Sequence, residues 1–140
     1  MAVNNPYDKY KQNSVFTATK EELTLMLYEG ALKFANQGIT AIEEKDYAKA
    51  NDLIIKVENI IREFQITLNQ DVEVSKQLSP LYDYIYNLLV DGNMKKDVAK
   101  LSEARDLIRE FRNMWKEAMR LARTETGQGG VPASAGGITL

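Results

Sequence analysis

The chain has 140 residues, 44% of them hydrophobic and 27% charged, with a net charge of −2, so it can build one domain with a real core but hardly two. It contains neither Cys nor His, which excludes thiol catalysis, imidazole acid–base chemistry, the usual zinc sites and a di-iron centre built on Glu-x-x-His pairs. There is no Gly-x-Gly-x-x-Gly and no Gly-Lys-Ser/Thr phosphate loop. No segment nears the ~20 consecutive apolar residues of a membrane helix, and the first residues lack the basic start and apolar run of a signal peptide. Only carboxylate, Lys, Tyr, Ser or Thr chemistry stays open, so an enzyme is not the first expectation; the lack of Cys fits a reducing compartment, and no cofactor, no metal and no membrane insertion are expected.

Residues 1–18 are polar and weakly periodic, and read as an N-terminal arm or cap carrying Tyr7 and Tyr10 around Pro6. Thr19-Lys20-Glu21-Glu22 then spells a capping box with acidic residues in the positive first turn, so a helix starts here and runs to about Glu44. Its apolar residues, from Leu23 to Ile42, cover an arc of roughly 200°, wider than the core stripe of a surface helix. Leu23, Leu27 and Tyr28 fit core contacts, Leu25 lies at their edge, and Met26 falls among the polar residues on the far side.

Asp46 caps the second helix, 46–69, so soon after the first that the two must be antiparallel neighbours. Tyr47, Ala50, Leu53, Ile54, Val57, Ile60, Ile61, Phe64 and Leu68 form its main face, with Ile55 and Ile66 nearly opposite. Asn69-Gln70-Asp71 serves as turn and cap for a third helix, 71–91, on which Tyr82, Tyr86 and Val90 make a flank line. Ser79-Pro80 interrupts that helix, either kinking it or restarting it with Ser79 as cap; one kinked helix is the preferred reading. Asp91-Gly92-Asn93 ends it. Asp97 caps the last helix, 97–123, with a heptad seam of Leu101, Ala104, Ile108, Phe111, Trp115, Ala118 and Ala122 and a second row of Leu107, Met114 and Leu121. Residues 124–140 are a flexible Gly-rich tail. The fold class is all-α: an antiparallel four-helix bundle with an N-terminal arm and a C-terminal tail.

Two surfaces stand out. Met26, Ile55, Ile66, Tyr86 and Val90 are apolar positions left over after the core is assigned, spread across three helices. Singly such residues mean little, but as a set they fit a groove that takes an amphipathic partner helix. An arm carrying Tyr7 and Tyr10 could dock on that groove and leave it when a partner arrives. From Lys95 to Arg123 the charge balance is +4 against −5 for residues 1–94. Glu103, Glu110 and Glu117 recur every seven residues among those cations and would repel phosphates, so nucleic acid is not an expected partner. An all-helical enzyme would need Arg side chains converging inside the bundle, whereas Arg105, Arg109, Arg112, Arg120 and Arg123 avoid the seam. The other reading of the apolar lines is a self-associating scaffold or adaptor, a homodimer burying them against a second copy.

The order of several short motifs carries a resemblance. Asn5-Pro-Tyr7-x-x-Tyr10, Gln12-Asn13-Ser14-Val15 and Leu23-Thr-Leu-Met-Leu-Tyr28-x-Gly30 are followed by Asn59-Ile-Ile-x-Glu63, Leu81-Tyr-Asp-Tyr84, Asn93-Met-Lys-Lys-Asp97 and Phe111-Arg-x-x-Trp115-Lys116. Over residues 5–118 this pattern resembles the flagellin-specific export chaperone family, FliS. The resemblance implies a cytoplasmic four-helix chaperone that holds the C-terminal segment of flagellin, prevents its premature polymerisation and aids its delivery to the flagellar type III export gate. It also implies that the arm, through Tyr7 and Tyr10, takes part in binding. Ser79-Pro80 departs from the family's usual pattern.

Overall fold

The computed structural model describes residues 18–68 and 72–127. These form four helices in chain order: α1 (Lys20–Glu43), α2 (Tyr47–Leu68), α3 (Val72–Lys95) and α4 (Val98–Gly127). Each packs on its sequence neighbour, and α4 returns against α1 to close the ring. The all-α four-helix bundle is thus the observed architecture. Tyr7, Tyr10, the turn at 69–71 and the tail beyond Gly127 lie outside the described residues.

Local chemistry sets the helix starts. The Thr19 hydroxyl accepts from the Glu22 amide at 3.1 Å and the Glu22 carboxylate accepts from the Thr19 amide at 3.0 Å, closing the capping box. Asp46 Oδ1 accepts from the Lys49 amide at 3.2 Å, and Asp97 Oδ1 accepts from the amides of Ala99 and Lys100 at 3.0 and 3.3 Å. Each carboxylate satisfies first-turn donors that the helix itself leaves orphaned.

The helix stops differ from the expectation at two places. The α3 helix passes through Asp91-Gly92-Asn93 and ends at Lys95, with Lys96 in the left-handed region at φ 50°. Gly92 is there for packing: a Cβ at this position would sit 2.8 Å from Leu101 Cδ2, so its absence lets α4 approach. Asn93 is buried, donating from Nδ2 to Asn51 Oδ1 at 2.9 Å, while Lys96 Nζ donates to its carbonyl and side-chain oxygens at 2.6 and 2.7 Å. At the other end, α4 continues to Gly127, beyond Arg123. Pro80 lies inside a continuous α3, so Ser79 does not begin a new helix.

The core runs the length of the bundle and centres on four rings, one from each helix. Tyr28 and Phe64 have centroids 4.5 Å apart, Phe64 and Tyr82 5.8 Å, and Tyr82 and Phe111 5.1 Å. The hydroxyls of Tyr28 and Tyr82 meet at 2.6 Å, giving two buried polar tips a partner in each other. Tyr82 therefore belongs to the core, not to a flank line with Tyr86 and Val90. Burial pushes the Tyr28 hydroxyl pKa up to about 12, and burial together with the neighbouring Tyr28 pushes Tyr82 up as well.

Candidate partner-binding site

The exterior of the bundle is uneven. Between α1 and α4 polar side chains bridge the surface. Arg112 Nη1 donates to Glu29 Oε2 at 3.0 Å, Arg105 Nη1 donates to Asn36 Oδ1 at 3.2 Å, and Trp115 Nε1 donates to the Glu21 carbonyl at 3.0 Å. The α4 arginines lie on this flank and on the outer face: Arg109 pairs with Asp106 and Arg120 with Glu117, so they do not converge inside the bundle.

The boundary between α2 and α3 is half polar and half apolar. Arg62 lies over the Tyr86 ring, 4.9 Å from its centroid, and Nε donates to Tyr86 Oη at 3.1 Å. Gln65 Nε2 donates to Asp83 Oδ1 at 2.8 Å. With the Asn51–Asn93 bond, these contacts fix the antiparallel register and bring Ile55 level with Val90. Ile55 and Ile66 are exposed on the outer face of α2, Ile66 at 60%, while Tyr86 and Val90 are half-buried beside them. Two of the expected surface positions thus lie on α2 and two on its neighbour α3. Met26 stands on α1, exposed at 38%, with its side chain turned away from the core row of Tyr28, Ala31 and Ala35.

A second apolar surface, not singled out from the sequence, lies between α3 and α4. Leu81, Ile85, Leu107, Phe111 and Met114 line a groove of about 280 Å³, and among the described residues Glu110 is the single ionisable group in its wall. Leu81, Tyr84, Met114 and Leu121 are exposed, Met114 at 58%. At the upper edge Tyr84 donates its hydroxyl to Glu103, and that carboxylate raises the tyrosine's pKa. The sequence did hold a signal: Leu107, Met114 and Leu121 recur seven apart, flanking the buried seam. Its meaning depended on how far α3 covers it.

Other apolar positions also moved outward. Leu23, expected to face the core, is 37% exposed, because it lies in the first turn of α1 near the end of α2. Tyr47 is exposed for the same kind of reason, as the first residue of α2. Leu25 and Leu27 are half-buried against the core. Among the described residues no three carboxylates cluster to hold a metal, and no helix is long and apolar enough to cross a membrane. What the surface offers is apolar contact area on several helices with few charges.

Comparison with known proteins leads to the same place. Residues 3–122 match the family model described as "Flagellar protein FliS". The "Flagellar secretion chaperone FliS" of Bacillus subtilis is 46% identical over 132 residues, covering 94% of this chain and 99% of that protein. The proteins of the same name from Campylobacter jejuni and Escherichia coli are 28% and 24% identical, covering 84% and 77% of this chain and 93% and 82% of their own. Match length, near-complete mutual coverage and a four-helix bundle agree: the chain belongs to the FliS family of flagellar secretion chaperones.

Proposed function

We propose that the protein is a cytoplasmic export chaperone that holds the C-terminal segment of flagellin, keeps it from polymerising early, and hands it as a complex to the flagellar type III export gate. The observation that carries this reading is the set of large apolar side chains left exposed on all four helices, among them Met26, Ile55, Ile66, Leu81 and Met114. A segment that is disordered when free and wraps a bundle as amphipathic helices would cover several such faces at once. Met at three of the exposed positions suits the task, because its unbranched thioether repacks against varied neighbours. In this reading Met26, Ile55, Ile66, Tyr86 and Val90 contact the client, and the arm contributes Tyr7 and Tyr10. The work is binding, with no chemical step.

Calorimetry against the flagellin C-terminal segment tests it. Tight binding with a negative heat-capacity change is expected. No heat at micromolar concentrations of both partners would remove flagellin as the client. Replacing Tyr10 with Ala is expected to weaken that binding while leaving the thermal midpoint nearly unchanged; a large fall in midpoint would make Tyr10 a core residue. The scaffold reading, a homodimer without flagellin specificity, is separated by light scattering over a dilution series with and without the segment, since a dimer sharing the surface must dissociate as the client binds.

A further inference from the structure

The groove between α3 and α4 combines features that point to one kind of occupant. Its long wall is an edge of α4 with Leu107 and Met114 one heptad apart and exposed Leu121 a further heptad along, the spacing that receives the side chains of another helix lying alongside. Its opposite wall, Leu81 and Ile85 on α3, runs antiparallel, so the two helices make a trough open to the outside. About 280 Å³ holds a few side chains from a ridge, and is far too little for a folded domain.

Charge narrows the occupant further. The outer surface of α4 divides lengthwise, because at 100° per residue Arg105, Arg109, Arg112, Lys116 and Arg123 fall toward α1. Glu103, Glu110 and Glu117 fall toward α3, where Lys100 is taken up by Asp91 of that helix, while Asp106 points straight outward. Three of these four carboxylates are engaged: Glu103 by Tyr84, Asp106 by Arg105 and Arg109, Glu117 by Arg120. Glu110 has no cation or hydrogen-bond donor among the described residues, and it is the one that lines the groove. A carboxylate on the wall of an apolar trough favours a ligand that brings a positive charge to it and repels one that brings a negative charge.

We propose that the α3–α4 groove docks an amphipathic helix of a partner polypeptide carrying a Lys or Arg beside its apolar ridge, and that Glu110 selects for that basic residue. The apolar ridge supplies contact area and the ion pair fixes the register of the helix along the trough. The proposal rests on the chaperone reading above and adds to it a place and a charge preference.

The test is a charge-swap matrix by calorimetry on the full chain. Wild type, Glu110→Lys and the control Glu43→Lys on exposed α1 are each titrated with the flagellin C-terminal segment and with versions in which each basic residue in turn is replaced by Glu. Glu110→Lys is expected to bind the natural segment about ten-fold more weakly, one of the reversed segments is expected to recover most of that loss, and Glu43→Lys is expected to change nothing. Natural segment bound equally by wild type and Glu110→Lys overturns this inference alone; a segment that binds neither overturns the chaperone reading with it. Rescue of Glu110→Lys by Lys9→Glu or Lys11→Glu in the protein itself gives the groove to its own arm. A shift in self-association without a change in segment affinity gives it to a second copy. Either result overturns the proposal.

Discussion

The two flanks of α4 are built from one continuous helix and end up opposite in character. Toward α1, long side chains cross the boundary: Arg105 to Asn36, Arg112 to Glu29, and the Trp115 indole, buried itself, to the Glu21 carbonyl. Toward α3, Leu107 is half-buried and Met114 and Leu121 remain exposed over an apolar groove. The difference teaches that a bundle can be closed at its core and still carry an unfinished surface. The core needs only the heptad seam, and what lies a third of a turn away is covered or not according to the neighbour's side chains.

The largest way to break this contrast is to remove the anchor of the closed flank. Trp115→Ala deletes a buried ring and its bond to the first turn of α1, and is expected to cost about 3–5 kcal/mol in urea unfolding, with the Thr19 cap lost alongside. A loss no larger than a surface substitution would mean that α4 is held by its other flank.

The ring column shared by both flanks responds to alkali. The unfolded chain releases the Tyr28 and Tyr82 protons near pH 10, while the folded chain keeps them because both hydroxyls are buried. The contribution is therefore whole below about pH 10 and is lost as pH rises towards 12, at about 1.4 kcal/mol per pH unit for each tyrosine. Urea midpoints at successive pH values check this, and Tyr82→Phe is expected to flatten the slope.

On the open flank stability and binding should separate. Met114→Lys adds to an exposed groove wall a charge of the sign the docked helix brings, so its unfolding midpoint should barely move while affinity for the flagellin segment falls about ten-fold or more. Equal affinity would mean that the client avoids this face. The smallest effect belongs to the ion pairs: Arg112→Ala is expected to cost under about 1 kcal/mol, because Glu29 is half exposed and its pair with Arg112 is screened by water and salt. Added salt should shrink even that.

Several features were legible in the residues themselves. The capping box of Thr19 and Glu22 and the caps at Asp46 and Asp97 involve partners two or three residues apart, so a local string carries all the information they need. The same holds for the core rows of α2 and α4, since Ile54, Val57, Ile61 and Phe64, or Leu101, Ala104, Ile108 and Phe111, repeat at helical spacing. Gly92 was misread for the converse reason: in sequence a glycine after an apolar row looks like a stop, and only the approach of Leu101 reveals it as a packing position. Of the candidate surface, Met26, Ile55 and Ile66 could be picked out because they point away from their own helix's core row. Leu81 and Met114 could not, because each lies on the margin of a core row.

The sequence by itself therefore determined the four amphipathic helices, where they begin, the chemistry they lack, and the family to which the ordered motifs point. Periodicity and capping act over three or four residues, and one chain contains all their terms. Only the tertiary structure decided that Tyr28 and Tyr82, 54 residues apart, share a hydroxyl contact at the centre of the core. It alone decided that polar bridges from α4 close its side toward α1 while an apolar groove lies toward α3, with Glu110 on its wall and without a partner among the described residues. Those outcomes depend on which side chains meet across helix boundaries, and the pattern of a single helix does not contain its neighbour.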